Sequence, residues 1–209
     1  MSTLTTPDIS TWNIDSAHSV VEFKVKHMMI SNVKGHFSGV TGALLLHEAD
    51  LTQSSVEATI EIASIHTRDE SRDAHLKSAE FFDAEQFPAM HLKSTHIALK
   101  SDGELVVTGD LTIKGVTHSV AFAVAGPTPA TKDPWGNQRI GLSATTKLNR
   151  KDFGLAWNSA LECGYWMQAA VPARPSIGCS MRSSPPALWS GSTLRGRMWM
   201  QHACMRQRR

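Results

Sequence analysis

The 209-residue chain lacks several things whose absence narrows its function. Its first 162 residues contain no cysteine. All three, Cys163, Cys179 and Cys204, come later, at spacings that fit no metal motif and in an odd number that argues against a closed disulfide framework. No stretch approaches the roughly 20 apolar residues of a membrane span. Met1–Trp12 has neither a basic start nor the apolar core of a secretory signal, so a cytoplasmic location without stable membrane insertion is expected. Gly-x-Ser-x-Gly, P-loop and GxGxxG patterns are all missing. Nine histidines lie in the first 162 residues, but none falls in a zinc-type His-x-Glu or His-x-x-x-His layout, so no metal is expected. His91 and His96 are expected on opposite faces of one strand. Those 162 residues hold 14 Lys and Arg against all 19 Asp and Glu, and an acidic body offers no basic stripe for nucleic acid.

What is present is period-2 alternation, the mark of half-buried strands. Val21, Phe23 and Val25 alternate with Glu22, Lys24 and Lys26. Val56, Ala58, Ile60 and Ile62 alternate with Glu57, Thr59 and Glu61. Gly35, Gly39 and Gly42 punctuate the segment between, as at the corners of a small barrel. The period changes over 67–79, where Thr67 and Glu70 fit a capping box and predict one short helix. Phe81, Phe82 and Phe87-Pro88 then lead into renewed alternation, with Met90, Leu92, Ser94 and His96 on one face. Asp102-Gly103 predicts a hairpin into 105–113, and Gly115 a turn into a strand bearing Val120, Phe122 and Val124. Ile140, Leu142, Ala144 and Leu148 mark one more. About seven strands with hairpin-like links predict an antiparallel all-β sheet. Periodicity alone allows either a sandwich or a closed barrel.

Five blocks in this order resemble the YceI-like family. They are Trp12-Asn13-Ile14-Asp15 with His18-Ser19; Phe23 and His27 with Val33-Lys34-Gly35-His36-Phe37; Arg72-Asp73-Ala74-His75-Leu76-Lys77-Ser78 through Phe81-Phe82-Asp83; Leu111 to His118; and Leu148 to Leu155 with Trp157-Asn158. The resemblance implies an eight-stranded antiparallel, lipocalin-like β-barrel with a helical segment. It implies noncatalytic binding, transport or sequestration of a long isoprenoid or other lipid-like molecule, with no cofactor. Some relatives are periplasmic; this chain looks like the cytoplasmic kind. The lining set would be Val21, Phe23, Val25, Phe37, Met90, Leu92, Phe122, Val124 and Leu142, with Leu76, Phe81 and Phe82 closing one end. His27 would meet a ligand head group or cap the barrel. A homodimer is a further possibility that the residues do not decide.

Two polar pairs, Arg72 with Asp73 and Arg150 with Asp152, are expected to anchor the helix and a strand end through charge-assisted hydrogen bonds. The alternatives are an enzyme using Arg150/Asp152 or a histidine at the barrel mouth, and an impaired barrel without ligand.

The resemblance stops near residue 162. Residues 163–209 hold three Trp, five Met, three Cys and seven Arg, with no Asp, Glu, Lys or Phe. Such a composition resembles a GC-rich gene read out of frame. Translating Gly164-Tyr165-Trp166-Met167 in the shifted frame yields an apolar pair followed by Asp, as the family's turn into its last strand would. The expected division is therefore a disordered 1–11, a barrel domain over 12–162, and an aberrant tail over 163–209 that is either out of frame or a disordered extension. The family's final strand has no counterpart in the pattern, and Pro172 and Pro175 argue against a long replacement near Ala169–Val171.

Overall fold

The computed structural model describes residues 9–27, 31–100, 103–155 and 196–207. Six strands precede the α-helix: β1 (Ile9–Ile14), β2 (Val21–His27), β3 (Ser31–Phe37), β4 (Val40–His47), β5 (Ser55–Glu61) and the two-residue β6 (Ile65–His66). The helix, α1, spans Glu70–Lys77. After it come β7 (Ala89–Leu99), β8 (Leu105–Ile113), β9 (Val116–Ala125), the two-residue β10 (Thr131–Lys132), β11 (Gln138–Leu148) and β12 (Gly196–Gln207).

Pairing resolves the choice between sandwich and barrel. Strand β12 pairs with β11 along one edge, and on the other with β1 near Met205 and with β2 near Met198. β1 and β2 thus act as halves of one broken strand. Because β4 pairs with β1 and β3 with β2, β3 and β4 form the next one. β5 and β6 continue the pattern against β4 and β3. With β7, β8, β9, β11 and β12 this makes a closed eight-stranded antiparallel barrel. Closure leaves no long free edge on the ring and turns one face of every strand inward. On β8 the inward positions Leu105, Val107, Leu111 and Ile113 are all buried. Each such side chain stabilises the fold by roughly 1.5–3 kcal/mol.

Gly35 is required by a close approach. It lies opposite Phe23 in the β2–β3 ladder, and a Cβ there would sit 2.4 Å from the Phe23 ring. Lys114 and Gly115 both take positive φ, 49° and 74°, which closes the tight β8–β9 hairpin.

Several expectations need correcting. The chain enters the sheet at Ile9, inside the segment expected to be disordered, because Ile9 to Asn13 find ladder partners from His47 to Ala43. The helix is capped by Asp69, not Thr67: the Asp69 carboxylate accepts from the Arg72 amide at 3.1 Å. Thr67 is instead buried and bonded to Asp73. A register shift between Ser94 and His96 breaks the alternation of β7, so His91 and His96 are both exposed and Ile97 takes the inward place. Most of the odd tail, 163–195, lies outside the described residues, as does the segment around Ala169–Val171. Residues 196–207, however, form the closing strand. This run contains no proline, and it supplies Ala203 and Met205 to the core while Cys204 and Arg206 alternate outward. The two facing edges, β1/β2 and β11, each offer rows of backbone groups that a strand satisfies.

Candidate functional site

The barrel encloses a narrow apolar cavity with about 100 Å3 of free space. It lies toward the end formed by the β4–β5 and β9–β11 connections, since Leu51, Ser54 and Pro127 from those connections line it. Among the described residues, Ser54 is the one lining residue with a polar side chain, and its Oγ already accepts the His47 amide at 3.0 Å. Ile97, Leu105 and Val107 form a cluster beneath this end, with Leu51, Val56 and Val124 packed against it.

The opposite end is filled. Phe37 packs against Phe23 at 5.5 Å and edge-on to Phe82 at 6.0 Å, and Phe82 meets Phe81 at 5.0 Å. Such tilted and edge-to-face geometry is the favourable one for aromatic pairs. Leu76 of α1 packs on the same core.

Val21, Leu92, Phe122, Val124 and Leu142 therefore line the cavity. Phe37 (2% exposed) and Met90 (1%) are locked in the side-chain-filled core instead. Phe23, Leu76, Phe81 and Phe82 belong to the filled end. Val25 lies opposite Val33 on the β2–β3 hairpin, and His27 sits at the last position of β2, opposite Ser31. Val25 does not line the cavity.

Sequence reasoning missed more of the lining than it found. Ala58 and Ile60 were visible as an alternating set. Leu44 and Leu46 were hidden in the apolar run Ala43–Leu46, where both faces look alike. Ala203 and Met205 gave no usable signal, because their neighbours match no family block.

The polar network lies away from the cavity. The Asp73 carboxylate accepts from the Thr67 amide (2.9 Å) and Thr67 Oγ1 (2.5 Å), and it bonds His66 Nδ1 (3.1 Å). Burial pushes this carboxyl up, but the Thr67 and His66 hydrogen bonds outweigh it and hold it below its ordinary value. Arg72 donates to Thr67 Oγ1 and to the Thr67 carbonyl, both at 2.8 Å. These contacts pin α1 to β6. Near the end of β11, Asn149 Nδ2 donates to Asp152 Oδ1 at 2.8 Å, and burial pushes the Arg150 guanidinium down. Among the described residues no group of three or more His, Cys, Asp or Glu is placed to hold a metal. Among them, too, no helix is long and apolar enough to cross a membrane.

The model of the YceI-like domain matches residues 12–174. The chain belongs to the YceI-like family. A UPF0312 protein of Staphylococcus aureus is 40% identical over 157 residues, which is 75% of this chain and 88% of that relative. The YCEI protein of Campylobacter jejuni superposes with a TM-score of 0.54 at 33% identity, over 74% of this chain and 85% of that one. A polyisoprenoid-binding domain from Saccharophagus degradans superposes with a TM-score of 0.56 over 96% of this chain and 99% of its own. At 11% identity that likeness shows the family fold alone.

Proposed function

We propose that this YceI-like chain is a noncatalytic carrier, which holds a long isoprenoid or similar lipid-like molecule in the barrel cavity. The observation that carries this reading is the cavity wall: among the described residues its side chains are apolar, apart from one hydroxyl that is already bonded. Such a wall selects by shape and dryness. Each methylene moved from water into it contributes about 0.8 kcal/mol, so a long chain binds with few polar contacts. The S. degradans domain, which shares the fold and is named for polyisoprenoid binding, supports the same ligand class. An enzyme would need an acid, base or nucleophile facing the substrate, and among the described residues no titratable side chain lines the cavity.

The test is native mass spectrometry after incubation with a bacterial lipid extract. The carrier reading expects an apolar species of roughly several hundred daltons bound to the 22.8 kDa chain. It also expects Val107→Trp, which fills the cavity, to lose that species while keeping a cooperative unfolding transition. Wild type emerging with nothing bound, or Val107→Trp retaining the full load, would overturn it.

A further inference from the structure

The barrel wall is not equally closed all the way round. β8 and β9 pair continuously from Leu105↔Val124 to Ile113↔Val116. β9 and β11 pair over only three positions, Ser143↔Ala125, Ala144↔Val124 and Thr145↔Ala123. Both strands continue past that point, β9 back to Val116 and β11 on to Leu148, with their facing edges out of register contact.

A groove occupies the parting, lined by Ser119 to Ala123 on one side and Thr145 to Asn149 on the other. Side chains bridge it in place of a ladder. Thr146 Oγ1 donates to the Ala121 carbonyl at 2.8 Å, and His118 Nε2 lies 2.9 Å from the Asp152 carbonyl. His118 also stands edge-on to Phe153, 5.2 Å away. Behind this seam lies Phe122, which lines both the groove and the cavity. A single ring is thus shared by the outer groove and the apolar interior.

We propose that an apolar chain enters and leaves the cavity sideways through this seam, with Phe122 as its door. The inference rests on the carrier reading and adds the route. A seam held by isolated side-chain bonds opens locally at lower cost than a continuous ladder. An extended chain can thread it lengthwise, so the filled barrel end does not have to unfold. The interior side of the parted strands presents apolar Val120 and Phe122 to a passing chain, whereas Ser119 and Lys147 stay on the outside.

Stopped-flow exchange of a fluorescent polyene fatty acid tests the route. Ala121→Cys with Lys147→Cys, in a background carrying Cys163→Ser, Cys179→Ser and Cys204→Ser, is bridged by a bis-maleimide with a reducible spacer. Bridging is expected to slow both uptake and release at least tenfold, to change the equilibrium affinity by less than threefold, and to be reversed by reductant. Phe122→Ala is expected to raise both rates severalfold, and it decides alone should the bridge not form. Unaltered rates in the bridged protein, or in Phe122→Ala, would place entry at a barrel end and overturn the seam. A wild-type protein that binds no polyene acid would instead sink the carrier reading on which the route depends.

Discussion

Arg139 and Asp15 reach each other across the closing strand: Arg139 Nη1 donates to Asp15 Oδ2 at 2.5 Å, although the two lie on opposite sides of β12. Arg139 Nε also holds Asp133 at 2.9 Å, in a turn where Asp133 Oδ1 accepts the amides of Trp135 and Asn137. One guanidinium therefore ties the start of β11, the loop before it and the end of β1. Arg139→Gln should lower the urea midpoint more than Asp15→Asn, because it takes the guanidinium from both Asp15 and Asp133, whereas Asp15→Asn leaves the Asp133 bond in place. Hydrogen exchange should show the loss first at Met205 to Gln207. Equal midpoints for the two variants would mean that the Asp133 bond adds nothing.

Deletion of β12 should be the most damaging change to the fold. A chain ending at Leu155 exposes the β1/β2 and β11 edges and strips Ala203 and Met205 from the core. It should aggregate or bind a hydrophobic dye, and lose its cooperative unfolding transition. A monomeric truncated chain with the full-length denaturant slope would show that closure is dispensable.

The aromatic end should be structural and the exposed tryptophan should not. Phe37→Ala removes a ring packed against both Phe23 and Phe82 and should cost about 3–5 kcal/mol. Trp135 is 79% exposed, so Trp135→Ala should stay within about 0.5 kcal/mol of wild type. Urea denaturation of both variants decides this, and a Phe37→Ala loss below about 1 kcal/mol would show that the aromatic end does not hold the fold.

Acid should weaken the fold through Asp73. Its folded-state value lies below the ordinary 3.8, so the folded protein binds the proton less readily than the unfolded chain. The resulting stabilisation is complete above about 3.8 and is lost as pH falls through the lower folded value. Asp15 and Asp133 are depressed in the same sense, so they act in the same window. Asp73→Asn should be less stable than wild type at pH 6, and the gap should narrow as pH falls below about 3.8. A constant gap at every pH would show that the carboxylate charge is not what Thr67 and His66 recognise.

Much of the barrel was legible because alternation records one wet and one dry face locally. The Val21–Val25 and Val56–Ile60 runs, the Asp102-Gly103 hairpin and the Gly115 turn each state their conformation within a few residues. The β7 irregularity was not legible, since the insertion at Ser94–His96 is defined only by its register against β8. The Thr67–Glu70 pattern misled for a related reason. Thr67 satisfies a capping motif in sequence, but Asp73 bonds it in space and leaves the cap to Asp69.

The candidate site divides the same way. Leu92, Phe122 and Leu142 announce an inward face, but nothing local separates them from Met90, which is inward as well and locked in solid core. Where a cavity survives depends on which side chains meet across the barrel, and that is a property of strand order and stagger.

By itself the sequence determined that the chain makes antiparallel strands with one apolar face, a short helix between two runs of them, and a fold of the YceI-like kind. Each of these is written in spacing or in a local motif. Only the tertiary structure decided that residues 196–207 close the ring, that one end is filled and the other hollow, and that β9 and β11 part. Those outcomes depend on backbone groups finding partners far along the chain, and a strand edge accepts whichever segment supplies the bonds and fits the space behind it.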